Sequence, residues 1–135
     1  MTVRVTAPAK VNLCLGVGPV RADGYHPLAT VYTALELHDV LDLTLPAPDE
    51  PPGSEAPVVT VGGRVDTSGV PTGGDNLAVR AVSLLAAHHG RALPAGLRLH
   101  LDKGIPVAGG LAGGSADAAA ALVACLLYTS DAADE

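Results

Sequence analysis

The chain has 135 residues, with 14 acidic and 8 basic side chains and a formal net charge of −6. This length fits one small domain with a hydrophobic core, and the charge argues against binding nucleic acid or an anionic membrane through bulk electrostatics. Phenylalanine and tryptophan are absent, so we expect a core of valine, leucine and alanine and little stacking of bases on aromatic rings.

No segment of the sequence looks like a signal peptide or a membrane span. The first residues are not basic and then apolar, and no apolar run reaches about 18 residues. Cys14 and Cys125 lack the spacing of a disulfide framework or a zinc site. We therefore expect a cytoplasmic protein with neither nucleic acid nor membrane as partner. The oligomeric state is not predicted.

The first element is an alternating stretch from Val3 to Val17. Alternation with period two is typical of a strand with one buried face. Lys10 and Asn12 then share the opposite face, which in most strands is simply solvated. The residues expected on the buried face of the second half are Val11, Leu13, Leu15 and Val17.

A turn-rich loop follows this strand. Asp23-Gly24 is a strong turn signal, and Tyr25 and His26 come directly after it, held before Pro27. A single loop histidine is usually without special function. A Tyr-His pair held between glycine and proline is better placed to contact a ligand.

The middle of the chain predicts further strands and one helix. Alternation over 28–37 and 40–45 indicates two strands joined at His38-Asp39, then an acidic, proline-rich surface excursion over 46–57 and a short strand over 58–61. The helix is expected to begin at a capping Asp75 and to end at Gly90. Its expected apolar face comprises Leu77, Ala81, Leu84, Leu85 and His88, and another strand follows at Leu97, Leu99 and Leu101.

A glycine-rich stretch then leads into an alanine-rich, strongly helix-forming run. Glycine permits left-handed backbone and close ligand approach, and amides at a helix N-terminus bind phosphate. Ser115 at the junction can cap the helix or reach a phosphate or metal, whereas Asp117 is expected to be structural, in the first turn. The candidate phosphate loop comprises Pro106, Val107, Ala108, Gly109, Gly110, Leu111, Ala112, Gly113, Gly114, Ser115 and Ala116.

Two known phosphate-loop templates do not fit this stretch. The P-loop needs Gly-Lys-Ser/Thr and the dinucleotide fingerprint needs Gly-x-Gly, and neither occurs here. A plain flexible turn before a helix also remains open. The order of strands, helix, strand, loop and helix predicts an α+β fold, a mostly antiparallel sheet with helices on one side.

Four segments together resemble one family. Ala7-Pro-Ala-Lys-Val-Asn-Leu13, Asp23-Gly-Tyr-His-Pro-Leu28, Asp75-Asn-Leu77 and the glycine-rich stretch are similar to those of the 4-diphosphocytidyl-2-C-methyl-D-erythritol kinases. These belong to the superfamily of galactokinase, homoserine kinase, mevalonate kinase and phosphomevalonate kinase. The glycine-rich stretch alone would indicate only the superfamily.

The resemblance implies a kinase that uses ATP and Mg²⁺ to phosphorylate the 2-hydroxyl of 4-diphosphocytidyl-2-C-methyl-D-erythritol on the non-mevalonate route to isoprenoids. It implies that residues 106–116 bind ATP, with Ser115 as a metal ligand. It further implies that Lys10 is catalytic, that Asn12 positions the acceptor, and that Tyr25 and His26 bind its cytosine.

The resemblance also implies that part of the enzyme lies outside this sequence. The family's catalytic aspartate belongs to a downstream Gly-x-Asp-x-Pro segment that is not present here. We expect residues 1–127 to form the N-terminal ATP- and substrate-binding domain, truncated and inactive without a C-terminal domain, and residues 128–135 to be a non-native tail. The alternatives are another kinase of the superfamily, acting on homoserine or a mevalonate, and a non-enzymatic nucleotide-binding fragment.

Overall fold

Four strands form one mixed sheet in the computed structural model, which describes residues 1–46, 53 and 56–131. The elements are β1 (Thr2–Val17), β2 (Leu28–Thr44), β3 (Val58–Gly63), α1 (Leu77–His88), β4 (Arg98–Lys103) and α2 (Gly113–Asp131). The sheet order is β1-β2-β4-β3, with β2 antiparallel to β1 and β4, and β3 parallel to β4. The two helices and the mixed sheet confirm the predicted α+β class.

The hydrophobic core lies between one face of the sheet and both helices. Alternate residues of the central strands are almost fully buried, among them Leu41 and Leu43 of β2 and Leu99 and Leu101 of β4. The helices contribute small side chains to the same cluster, namely Ala78, Val79, Val82, Ala120, Ala121 and Ala124. The helices are therefore on one side of the sheet, as the sequence predicts.

The second half of β1 differs from the prediction, since Leu13, Leu15 and Val17 are 52–67 % exposed. The buried residues of β1 are instead Ala7 and Ala9. β2 pairs with β4 only over residues 40–44, so the outer half of the β1–β2 hairpin is a two-stranded ribbon, and none of the described residues forms a third strand beside it. An irregularity between Asn12 and Cys14 also shifts the register. Strand periodicity thus predicts an apolar face but not whether anything covers it.

β2 is one continuous strand, and the predicted break at His38-Asp39 is wrong. His38 pairs with Pro8 and Asp39 with Ala7 in the ladder to β1. Asp39 is fully buried, and its carboxylate accepts hydrogen bonds from Lys103 and from two backbone amides. A polar pair that suggests a turn in the sequence therefore lies in a strand, and residues distant in the chain satisfy the buried carboxylate of Asp39.

Helix α1 begins one residue later than predicted, with Asn76 rather than Asp75 as its N-cap. The Ala78 amide donates to the Asn76 side chain at 2.9 Å. The buried face is also rotated, because Leu77 and Leu84 are 42 % and 67 % exposed whereas Val79 and Val82 are buried. Gly90, with φ of +63°, follows the helix as expected.

Most of the acidic excursion over 46–57 lies outside the described residues. Helix α2 continues past Leu127 to Asp131, and Tyr128 packs against the core. The proposed non-native origin of residues 128–135 stays a prediction. Within the described part of the chain, no helix combines the length and apolarity needed to cross a bilayer.

Two leucine variants test this assignment of core and surface. Leu101 is fully buried in β4, whereas Leu13 of β1 is 67 % exposed. We expect Leu101→Ala to lower the free energy of unfolding by about 2–5 kcal/mol, because it leaves a cavity, and Leu13→Ala to change it by less than about 0.5 kcal/mol. Urea denaturation followed by circular dichroism measures both, and equal losses would contradict the exposed position of Leu13.

Candidate active site

The glycine-rich loop joins β4 to α2 and has left-handed backbone at every second residue. The φ angles of Ala108, Gly110 and Ala112 are 59°, 72° and 62°. Alanine adopts this region only at a cost of about 1 kcal/mol, and such strain clusters at functional sites. Alternating backbone of this kind turns successive N–H groups toward one concave side, which suits an anion.

Helix α2 begins within this loop rather than after it. Gly113 is its first residue, and the Ala116 amide donates to the Ala112 carbonyl at 2.9 Å. Ser115 therefore lies in the first turn and is exposed, so its hydroxyl is available and it is not the N-cap. The first amides of a helix lack intrahelical acceptors and carry its positive pole, so this end of the loop favours negative charge.

A first cleft of about 410 Å³ lies between the loop and the start of α1. Its volume falls in the range typical of small-ligand pockets. Lys103 and Asp117 line it, and Asn76 and Leu77 form the side that α1 contributes. The cleft is large enough to receive a nucleotide with its phosphates against the loop.

A second cleft of about 550 Å³ lies on the other side of the loop, between β1 and α2. Lys10, Asn12 and Tyr32 line it. Ala112 and Ser115 line both clefts. The two clefts therefore adjoin at the start of α2, where a group bound in one would meet a group bound in the other.

Lys10 is held against the glycine-rich loop by both its backbone and its side chain. Its amide donates to the Leu111 carbonyl at 3.1 Å. Its ammonium donates to the Gly110 carbonyl at 3.1 Å and to the Asn12 side chain at 2.6 Å. A strand residue and a loop residue 100 positions later in the chain are thus in direct contact.

Tyr25 and His26 lie away from this centre, in the loop at the far end of the β1–β2 hairpin. Neither lines either cleft, and Lys10 is separated from Val17 at the end of β1 by roughly 20 Å of strand. Tyr25 is 75 % exposed, and the His26 Nδ1 atom bonds to the Gly18 carbonyl at 2.8 Å. The structure therefore brings together Lys10, Asn12 and the loop, but not the Tyr-His pair.

Three buried charged residues lie beneath the loop, and the sequence reasoning missed two of them, Asp39 and Lys103. Asp39, Lys103 and Asp117 are each at most 3 % exposed, and the Lys103 ammonium donates to both carboxylates. The expectation that Asp117 lies in the first turn of α2 is wrong, since it is the fifth residue of the helix. A signal was available in the sequence. Asp39 is two residues from the buried Leu41 in β2, and Lys103 is two residues from the buried Leu101 in β4, so the alternation of each strand places the charged residue on the buried face.

The cluster has two carboxylates for one ammonium, which affects its protonation. Burial raises the pKa of Asp117 to about 6, although the hydrogen bond from Lys103 opposes this. Burial alone would lower the pKa of Lys103, but the two carboxylates raise it overall. Asp117 therefore binds its proton more tightly in the folded chain than in the unfolded one.

This shift predicts a pH dependence of stability. Between about pH 4 and 6 the folded state retains a proton on Asp117 that the unfolded state has lost. The contribution of Asp117 to the free energy of unfolding therefore falls as the pH rises through that window. Asp117→Asn does not titrate. We expect the melting temperature of the variant, relative to that of the parent chain, to increase from pH 4 to pH 7. A difference that is constant with pH would contradict the raised pKa.

Comparison with known proteins gives consistent similarities. Residues 76–134 match the GHMP kinases N terminal domain. The chain is 50 % identical over 123 residues to the 4-diphosphocytidyl-2-C-methyl-D-erythritol kinase of Leifsonia xyli, covering 91 % of this chain and 37 % of the relative. It is 53 % identical over 131 residues to the kinase of the same name from a Nocardioides species, covering 96 % and 41 %. The chain thus spans about two fifths of these relatives.

Solved structures show the same similarity in three dimensions. A crystal structure of 4-(cytidine 5'-diphospho)-2C-methyl-D-erythritol kinase aligns with a TM-score of 0.66 at 38 % identity, covering 93 % of this chain and 40 % of the other. Homoserine kinase from Cytophaga hutchinsonii aligns with a TM-score of 0.59 at 21 % identity, covering 92 % and 34 %, and shares the fold. The resemblance indicated by the sequence motifs is therefore confirmed.

Proposed function

We propose that this chain is the N-terminal part of a GHMP kinase that transfers the γ-phosphoryl group of ATP to the 2-hydroxyl of 4-diphosphocytidyl-2-C-methyl-D-erythritol, in non-mevalonate isoprenoid biosynthesis. The observation that carries the proposal is the contact between the Lys10 ammonium, which borders the second cleft, and the carbonyl of Gly110, which borders the first. About half of the residues are identical to those of relatives bearing that name. The free thiols of Cys14 and Cys125 suit a reducing cytoplasm.

The first cleft would hold ATP. Residues 106–116 would bind its phosphates, with the amides of the left-handed loop and of the first turn of α2 directed at the negative charge. Phosphoryl transfer depends mainly on such positioning and charge stabilisation. The loop would thus act by binding and alignment rather than by covalent chemistry.

The residues present fit a magnesium ion bound mainly by the nucleotide. Mg²⁺ usually keeps several waters and takes few protein ligands beside substrate phosphates. Among the described residues no group of three or more histidine, cysteine or acidic side chains could hold a metal, whereas the exposed Ser115 borders both clefts. Ser115 would supply one ligand, and the bound ion would neutralise charge on the phosphates.

The second cleft would hold the acceptor. Lys10 would stabilise the charge that develops as the hydroxyl attacks, and Asn12, which accepts a hydrogen bond from Lys10, would position the acceptor and the lysine together. Tyr25 and His26 would bind the cytosine ring. Their distance from Lys10 along the hairpin requires a long acceptor, which a cytidylyl-linked polyol is and homoserine or a mevalonate is not.

The catalytic aspartate expected from the family would come from a Gly-x-Asp-x-Pro segment downstream of α2. We propose that residues 1–127 are the ATP- and substrate-binding domain and that the 135-residue chain alone has little or no kinase activity. A purified chain that phosphorylated the acceptor at the rate of a full-length kinase would overturn this part of the proposal.

Two experiments test the proposed function. Calorimetry with ATP·Mg²⁺ on the 135-residue chain is expected to detect binding, and its absence would favour a fragment without nucleotide affinity. A chimera in which this chain replaces the matching segment of the Leifsonia xyli relative should phosphorylate 4-diphosphocytidyl-2-C-methyl-D-erythritol. Equal or greater activity on homoserine or mevalonate would support another kinase of the superfamily.

A further inference from the structure

A buried ionic cluster lies directly beneath the glycine-rich loop and joins three elements that are distant in sequence. Asp39 belongs to β2, Lys103 ends β4, and Asp117 lies in α2. The Lys103 ammonium donates to Asp39 Oδ2 and, at 2.6 Å, to Asp117 Oδ2. All three side chains are buried, so their interactions are little screened by solvent.

The second oxygen of Asp39 holds the backbone at the entrance of the loop. Asp39 Oδ1 accepts hydrogen bonds from the Gly104 amide at 2.7 Å and from the Ile105 amide at 2.8 Å. These two residues directly precede Pro106, where the loop begins. Hydrogen bonds of amides to a buried carboxylate are among the stronger ones in proteins.

The packing around these contacts is close. A Cβ atom on Gly104 would stand 2.3 Å from the His38 carbonyl oxygen, and one on Gly113 would stand 3.4 Å from Asp39 Oδ2 and 3.2 Å from Ile105. The backbone before the loop and the start of α2 after it therefore both lie against Asp39. Asp39 itself lines neither of the two clefts.

We propose that Asp39 is a positioning residue for the glycine-rich loop, and that with Lys103 it links the backbone before the loop to the helix after it. Through Oδ1 it holds the entrance of the loop, and through Lys103 and Asp117 it anchors α2 at the exit. The loop can then keep the strained φ angles of Ala108 and Ala112 when no ligand is bound. The expected effect on ATP binding rests on the proposed function, whereas the expected effect on the conformational order of the loop does not.

This role differs from a contribution to stability alone. Replacing a whole buried ion cluster with apolar residues is often neutral or stabilising, whereas removing one partner is destabilising, so the test must separate a local effect on the loop from a global loss of stability. A neutral amide at position 39 retains the shape of the carboxylate and weakens its charge-assisted hydrogen bonds. Asp42→Asn is the matched control, because Asp42 lies on the same strand and pairs with the exposed Arg4 instead.

Hydrogen exchange measured by mass spectrometry on the 135-residue chain tests the proposal. We expect Asp39→Asn to accelerate exchange of the amides over 104–116 by about tenfold or more, to leave those of α1 unchanged, and to weaken ATP·Mg²⁺ binding in calorimetry by a similar factor. Asp42→Asn should change neither. Unchanged exchange in the loop, or an equal acceleration throughout the domain, would overturn the proposal.

A second variant covers the case in which Asp39→Asn does not fold. Lys103→Gln leaves the contacts of Asp39 with Gly104 and Ile105 in place and removes the charged link to α2. Faster exchange confined to 104–116 again supports the positioning role, and uniform acceleration again contradicts it. If the parent chain binds no ATP, the proposed function fails for this chain, while the exchange data still decide whether Asp39 orders the loop.

Discussion

Lys10→Ala in the chimera with the Leifsonia xyli relative is expected to lower kcat by about 10²- to 10³-fold while leaving ATP affinity nearly unchanged. Loss of one donor that stabilises transition-state charge typically has this effect. Lys10 lines the second cleft and not the first, so its charge would act on the side proposed for the acceptor. Steady-state kinetics with each substrate varied in turn measure kcat and both KM values.

Arg4 provides the control for this experiment. It lies on the same strand as Lys10, but its exposed guanidinium pairs with Asp42, and Arg4→Ala should leave kcat unchanged. Because the Lys10 ammonium also bonds to the Gly110 carbonyl, ATP binding to the variant should be measured directly by calorimetry. A collapse of ATP affinity with kcat preserved would show that the acceptor-side role is wrong.

Gly110→Val is expected to weaken ATP·Mg²⁺ binding to the chain by about 10- to 100-fold. Gly110 has φ of +72°, and no atom lies within 4 Å of a Cβ built there, so the penalty comes from backbone conformation rather than from a clash. β-Branched residues are rare at positive φ, and such strain costs about 1–3 kcal/mol. The loop would avoid this cost by leaving the conformation that directs its amides toward the phosphates.

Gly74→Val is the matched control for the loop variant. A Cβ on Gly74 likewise meets nothing within 4 Å, and its φ lies outside the left-handed region. Calorimetry should show that Gly74→Val binds ATP·Mg²⁺ with the same affinity as the parent chain, and circular dichroism should show that both variants are folded. Equal binding by Gly110→Val and the parent chain would mean that the left-handed conformation of the loop is not needed for the nucleotide.

The position of the loop could be predicted from the sequence, because its signals are local. Glycines followed by an alanine-rich run indicate a loop and a helix start whatever the rest of the chain does. The left-handed angles of Ala108 and Ala112 could not be predicted in this way. Alanine has no preference for them, and they arise where the ends of the loop are held by other elements.

The pairing of Lys10 with the loop followed from resemblance and not from the residues themselves. A lysine on the polar face of a strand is usually solvated, and only the packing of β1 beside residues 110–111 distinguishes this one. Asp39 and Lys103 show the opposite case. Their place in the buried alternation was visible in the sequence, but a charge there has no evident partner until the strands are aligned.

The sequence by itself determined the α+β class, the approximate order of strands and helices, the glycine-rich loop and the family resemblance, because these depend on periodicity, local propensity and motifs. Only the tertiary structure decided that β2 is continuous, that the outer face of the β1–β2 hairpin is exposed, and that three buried charges lie beneath the loop. Each of these depends on what packs beside a residue. A charged or apolar side chain acquires its environment from partners that can be 14 or 64 positions away, as Asp117 and Asp39 are from Lys103.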